Sequence, residues 1–245
     1  MTDKKLISRY EIENATIGLS RYIQKKIAKP DWTDFSEEQL WIMLVSCILG
    51  SHVRYETANA SFQRLIDYEL LNINKILASP AVSKEEIATV LKKPTSCSNY
   101  KNMICTYPYP RSKADYIVET AKRIYESSGT SLKEILKKSD NEYVARENLV
   151  KKAKGIGYKQ ASLYLRNIGF TDNLAILDTH VVRYMNLIGL LTVDVKPRIL
   201  HKNEYLRTER KLVEYANMKR ILLSALDAAI WIIMRIVQRE YALWK

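Results

Sequence analysis

The stretch KGIGYKQASLYLRNIG, Lys154–Gly169, places two of the chain's seven glycines, Gly155 and Gly157, around a single isoleucine in the middle of a helical pattern. A glycine inside a helix costs about 1 kcal/mol relative to alanine. Helical spacing flanks it on both sides. EYVARENLVKKA precedes it, with Asp140 or Asn141 placed to cap, and YKQASLYLRN follows, ended by Gly169. The segment therefore reads as helix, hairpin, helix. Both glycines are expected to permit positive φ, so that the chain reverses within a few residues. They also clear side chains from a turn that must approach a flat or charged surface, with Ile156 packing inward beneath it. The second helix then presents unpaired N-terminal amides, which with the helix dipole form an anion site. A plain tight turn between helices would carry the same glycines for geometry alone.

Outward from the hairpin the pattern stays helical. Residues 1–29 read as one or two helices ended by Pro30. Asp34 or Ser36 can cap the next helix, with Glu37 and Glu38 in its first turn, and this helix runs through QLWIMLVSCILG to Gly50. ETANASFQRLIDYEL is a further helix, residues 72–104 are shorter pieces, and YPYPRSK is a turn because two prolines remove two amide donors. KADYIVETAKRIYES is an amphipathic helix ended by Gly129. TDNLAIL is an extended connector leading to Asp178, the N-cap of THVVRYMNLI, which Gly189 ends. A basic segment, 196–220, leads to the last helix. The fold class is all-α.

Lys plus Arg number 39 against 27 Asp plus Glu, a formal charge of +12. That excess calls for a polyanionic partner, nucleic acid or an anionic membrane. No basic amphipathic helix with an exposed apolar face stands out for a membrane. The most apolar run, Ile221–Val237, is short for a bilayer and carries Asp227 and Arg235, so it is expected to be a buried helix. The three cysteines, Cys47, Cys97 and Cys105, match no zinc or cluster spacing and suggest a reducing, intracellular protein with Cys47 buried. The N-terminal stretch lacks the apolar core of a signal peptide.

Two residues carry chemistry. Lys159 lies in the first turn of the second hairpin helix, where the dipole repels a cation. That repulsion, with partial burial, favours the neutral amine, which is a nucleophile. Asp178 stands 19 residues downstream at the start of the next helix. Alternatively, Lys159 touches a phosphate and Asp178 is only a cap.

KGIGYKQASLYLRNIGF followed by LAILDTHVVR resembles the helix-hairpin-helix DNA glycosylases, most closely the archaeal-type (type 2) 8-oxoguanine DNA glycosylase/AP lyases. LWIMLVSCILGSHVRYE, YPYPRSKADYIVETAKRI, HKNEYLRTERKL and LDAAIW resemble other parts of that family, so the similarity covers most of the chain from about residue 38. The resemblance implies two helical lobes with the active site in the cleft between them: a central lobe of residues 45–168 holding the hairpin at 154–159, and a second lobe of 1–44 plus 169–245.

By the same resemblance, the damaged nucleotide is flipped from the duplex, Lys159 attacks the anomeric carbon, and a Schiff base leads to β-elimination. Asp178 stabilises positive charge on the sugar. Gly155, Gly157 and His180 are the implied DNA-backbone contacts. Lys154 stands where many relatives carry proline, and its cation beside the hairpin suits either a phosphate contact or a solvated face. His52, in GSHV, where relatives place Asn or Gln, is the candidate wedge in the gap left by the flipped base. Trp231, Asp227 and the C-terminal Lys245 are the candidates for reading the base. The resemblance implies double-stranded DNA with an oxidised purine as partner, a monomer, and no metal or other cofactor. A glycosylase for another lesion and a non-catalytic helix-hairpin-helix DNA-binding module are the alternatives. The module would leave the lysine–aspartate pair a coincidence.

Overall fold

Helix dominates the chain, as the apolar spacing requires, and strand is limited to two short pairings among the described residues. The computed structural model describes the backbone of residues 5–26, 30–96, 104–126, 129–191 and 201–243, and the side chains of all of these except 5–6, 95–96 and 239–243. The chain divides into two compact units, Pro30–Phe170 and Met1–Lys29 with Thr171–Lys245. A boundary at residue 44 would cut through the helix Glu37–Leu49, whose apolar side (Leu40, Trp41, Leu44, Val45, Ile48) is fully buried. The division falls at Pro30 instead.

In chain order, β1 (Lys5–Ile7) and α1 (Arg9–Lys26) open the split unit. The continuous unit holds α2 (Glu37–Leu49), α3 (Tyr55–Asp67), α4 (Ile73–Ala78) and α5 (Pro80–Lys92), then a small antiparallel pair, β2 (Thr95–Ser96) with β3 (Ile104–Cys105). It continues through α6 (Pro110–Ala121), a π-helical turn (Lys122–Glu126), α7 (Leu132–Lys137), α8 (Glu142–Lys152) and α9 (Tyr158–Asn167). The split unit resumes with α10 (Thr179–Leu187), α11 (Lys202–Lys219), α12 (Leu223–Glu240) and β4 (Tyr241–Leu243), which pairs in parallel with β1.

Local signals set the boundaries. Ser36 caps α2 reciprocally with Gln39: its hydroxyl accepts from the Gln39 amide (3.1 Å), and the Gln39 side chain accepts from the Ser36 amide (2.7 Å). Asn141 caps α8 through the amides of Tyr143 and Val144. YPYPRSK is only half the turn expected, because α6 begins at Pro110. Proline is tolerated there, since the first helical amide has no intrahelical acceptor to lose.

That loop and α6 close the far end of α2. The Tyr107 hydroxyl donates to the Leu49 carbonyl (2.6 Å) and the Lys113 ammonium to the Ile48 carbonyl (2.7 Å), both buried. A cation suits the negative end of a helix dipole. Its burial still depresses the Lys113 pKa from 10.5 to about 8. Between those values the unfolded chain holds the proton more tightly than the folded one, so folding stability rises with pH across this window. Urea denaturation at pH 7.5 and pH 10 is expected to show this rise in the wild type, by up to about 3 kcal/mol, and to lack it in Lys113→Met.

In the split unit, α1 lies along α12 and buries Ile12, Thr16 and Ser20 in one stripe. The apolar run from Ile221 becomes α12, with Leu223, Leu226, Ile230, Met234 and Val237 buried. Among the described residues, no single helix is long and apolar enough to cross a membrane. Cys47 is a buried free thiol, but Cys105 is disulfide-bonded, which corrects the expectation of a chain of reduced cysteines.

Candidate active site

The hairpin between α8 and α9 uses its two glycines differently. Gly155 has φ +77°, and a β-carbon there would run into the ring of Tyr116 on α6. Gly157 has φ −103° and ψ −176°, extended backbone open to any residue, so the expectation of positive φ at both glycines is corrected. A β-carbon on Gly157 would meet nothing within 4 Å. As the N-cap of α9, Gly157 offers no side chain of its own to cap the first amides. Ile156 is buried beneath, as expected. Gly155→Ala is therefore expected to lower the melting temperature and to weaken duplex binding, with a cost of about 1–3 kcal/mol. Gly157→Ala should weaken binding while leaving the melting temperature in place. Thermal denaturation paired with fluorescence anisotropy on a duplex separates the two.

Residues that the sequence reading did not single out hold the hairpin in place. Arg146 of α8 is buried, donates to Ser162 Oγ (3.1 Å), and lies between the rings of Tyr143 and Tyr158 at 5.6 and 5.2 Å. The Tyr158 hydroxyl donates to Glu147, tying α9 back to α8. From α6, Thr120 Oγ1 accepts from the Lys154 amide (2.9 Å), and Asp115 takes the Lys154 ammonium (2.8 Å) on one oxygen and Lys84 (2.7 Å) on the other. Lys154 is thus held charged, its pKa raised by Asp115, and serves as a hairpin brace. Only the pairing of two glycines with an amphipathic helix was readable locally; Asp115 lies 39 residues from Lys154.

Lys159 is half-buried in the first turn of α9. Below it, burial pushes the Cys47 thiol up to about 12, and the nearby Lys159 charge works against that shift. The neighbouring Gln160 is buried and its side-chain nitrogen lies beside Gly50, at the end of α2. There the chain turns through Ser51, His52 and Val53. His52 is exposed and adopts φ +61°. Lys154, Gly155, Gly157, Lys159 and His52 thus belong to one unit and share one scaffold, with α6 behind it.

Asp178 and His180 belong to the other unit. Asp178 caps α10, its Oδ1 accepting from the amides of His180 and Val181 at 2.8 Å each. The connector before it is pinned by buried carboxylates. Glu209 accepts from the Ala175 amide (3.0 Å) and Asp227 Oδ2 from the Ile176 amide (2.9 Å), while the Tyr205 hydroxyl donates to the Ala175 carbonyl (2.6 Å). Asp227 thereby fixes the backbone that presents Asp178, a role its sequence position did not announce. His180 is half-buried. Burial lowers its pKa, Asp178 opposes that, and Arg183 and Arg235 add to it, so the imidazole is neutral at pH 7. Its Nδ1 has no hydrogen-bond partner among the described residues.

Of the base-reading candidates, Trp231 is half-buried on α12 with the Arg235 guanidinium 4.4 Å from its ring centroid. It sits one turn from Asp227 on the same helix. Lys245 lies outside the described residues. Among the described residues no cluster of His, Cys, Asp and Glu could hold a metal ion.

These elements make the chain a helix-hairpin-helix protein, and the solved structures it resembles agree. It superposes on the crystal structure of the 8-oxoguanine DNA glycosylase of Methanocaldococcus jannaschii with TM-score 0.63 and 26% identity, over 96% of this chain and 91% of that one. The same enzyme in complex with a 15mer DNA containing 8-oxoguanine matches with TM-score 0.63, over 96% and 94%. In sequence it is 33% identical over 198 residues to the 8-oxoguanine DNA glycosylase/AP lyase of Korarchaeum cryptofilum, covering 81% of each chain. The chain belongs to the Ogg-HhH family, 8-oxoguanine DNA glycosylase, which matches residues 23–221.

Proposed function

We propose that this chain excises 8-oxoguanine from duplex DNA and then cleaves the strand by β-elimination, with Lys159 as the Schiff-base nucleophile and Asp178 as the carboxylate that stabilises charge on the sugar. The observation that carries the reading is the position of Lys159: half-buried, in the first turn of a helix that starts at the glycine of the hairpin. The hairpin amides bind a phosphate of the backbone. The lesion is turned out of the stack, at a cost of a few kcal/mol.

Neutral Lys159 then attacks C1′ and the bond to the base breaks, the base leaving with the electron pair and taking up a proton. The amine loses its protons as the sugar ring opens, giving an imine. Loss of a C2′ proton from that Schiff base expels the 3′ phosphate and breaks the strand. The Asp178 carboxylate, at the α10 N-terminus, balances the positive charge that grows on the sugar. Trp231 and Asp227 line the base pocket in this reading, with Lys245 as the third base-reading residue. His180 contributes a neutral hydrogen bond to a phosphate. His52 fills the gap opposite the orphaned base. The chain acts as a monomer inside the cell.

Borohydride trapping tests the reading. A duplex with a single 8-oxoguanine is expected to give a covalent adduct with the wild type. An adduct only on an abasic-site duplex would shift the reading to a glycosylase for another lesion. No adduct on either duplex would leave a DNA-binding module.

A further inference from the structure

The end of α2 is closed in an unusual way. Its last carbonyls are met by side chains from 58 and 65 residues downstream, Tyr107 to Leu49 and Lys113 to Ile48. The chain itself then leaves the helix axis, and His52 takes up φ +61°. Lys113 is 4% exposed, and burying an ammonium is costly unless it is needed where it stands. The same helix, α6, carries Tyr116, whose ring fills the space beside Gly155 and lies 5.6 Å from the Lys113 ammonium. One helix turn further, Thr120 receives the Lys154 amide. The segment from Tyr107 through α6 thus holds both the last turn of α2, which leads into the turn carrying His52, and the hairpin that precedes Lys159.

We propose that Lys113, with Tyr107, is a positioning residue for base extrusion: it fixes the His52 turn against the hairpin, so that a strand held at the hairpin meets the wedge at the right place. This rests on the wedge role of His52 given above. The buried cap sets where the turn leaves α2, and α6 carries that position to the hairpin through Tyr116 and Thr120. Loss of the cap leaves the hairpin amides and Lys159 in place, and removes only the fixed distance between wedge and phosphate site. Lys113 is therefore required for flipping and not for backbone binding or for imine chemistry on a sugar that is already accessible.

The test uses the full chain carrying Lys159→Gln, so that no turnover occurs, and a duplex with 2-aminopurine beside 8-oxoguanine. Fluorescence of the 2-aminopurine reports unstacking. Lys113→Met and Tyr107→Phe, which removes only a hydroxyl, are each expected to lower the unstacked signal about tenfold, while affinity for undamaged duplex changes less than about threefold. With Lys159 restored, both variants should keep wild-type lyase rates on a single-stranded abasic oligonucleotide and lose excision from duplex by about tenfold. Unstacking at the wild-type level in both variants overturns the proposal. So does a parallel loss of single-strand lyase, which marks a general structural role. His52→Ala is measured beside them. If His52→Ala abolishes unstacking and the two cap variants do not, the inference fails and the wedge reading stands. If His52→Ala unstacks like the wild type, the wedge reading itself fails.

Discussion

Lys159→Gln is expected to give no borohydride adduct on 8-oxoguanine or abasic duplex, and to lower strand cleavage at least about a thousandfold. Glutamine nearly matches lysine in reach but has no lone pair able to form an imine. The change is mild for the fold. Lys159 is half-buried in the first helical turn, where a cation opposes the dipole, so stability should move by less than about 1 kcal/mol. Duplex binding should survive, because the hairpin amides and the +12 charge of the chain do not depend on one ammonium. Denaturing gel analysis of trapped products, single-turnover excision and anisotropy are the three readouts. Lost trapping with excision intact would mean that water displaces the base and Lys159 acts only on the abasic product. Lost binding would return Lys159 to a phosphate contact.

Much of this site was legible in the sequence because its signals are local. Gly-Ile-Gly between two periodic segments fixed the hairpin, and Ser36, Asn141 and Asp178 were readable as caps from residues within a single turn. Where local chemistry allowed two outcomes, the reading went astray. Gly157 was expected to share the positive φ of Gly155, yet one left-handed residue suffices to reverse the chain. Pro110 was read as part of a turn, but proline breaks a helix only in its interior and can begin one.

The scaffold beneath the site was not legible, and the reason is physical. Lys113, Arg146, Glu209 and Asp227 are charged residues on helices, and such residues belong on solvated faces unless a partner draws them in. Their partners are carbonyls, amides and a hydroxyl as far as 65 residues away, which no periodicity encodes. Lys154 shows the same limit. Beside the hairpin it reads as a phosphate contact, and only the fold brings Asp115 to it. The lobe edge set at residue 44 sat at odds with the helix read from Ser36 to Gly50, and the continuous unit takes in that whole helix, from Pro30 to Phe170.

Asp178→Asn separates the two things Asp178 can do. Asparagine is as good an N-cap as aspartate, so the bonds from the His180 and Val181 amides persist through Oδ1 and the connector stays anchored at Ala175 and Ile176. Only the charge is lost. If the carboxylate balances positive charge on the sugar, single-turnover excision should fall about 100- to 1,000-fold with the melting temperature and duplex affinity preserved. Asp178→Ala removes the cap as well and should cost about a further 1 kcal/mol of stability. Activity of Asp178→Asn within about threefold of the wild type, a change too small for a lost catalytic charge, would make Asp178 a cap and nothing more. The neutral state of His180 sharpens the contrast. With no second anion capping α10 and a neutral imidazole beside it, Asp178 is the charged group that α10 presents at its N-terminus, so a loss on Asp178→Asn reports on that one negative charge.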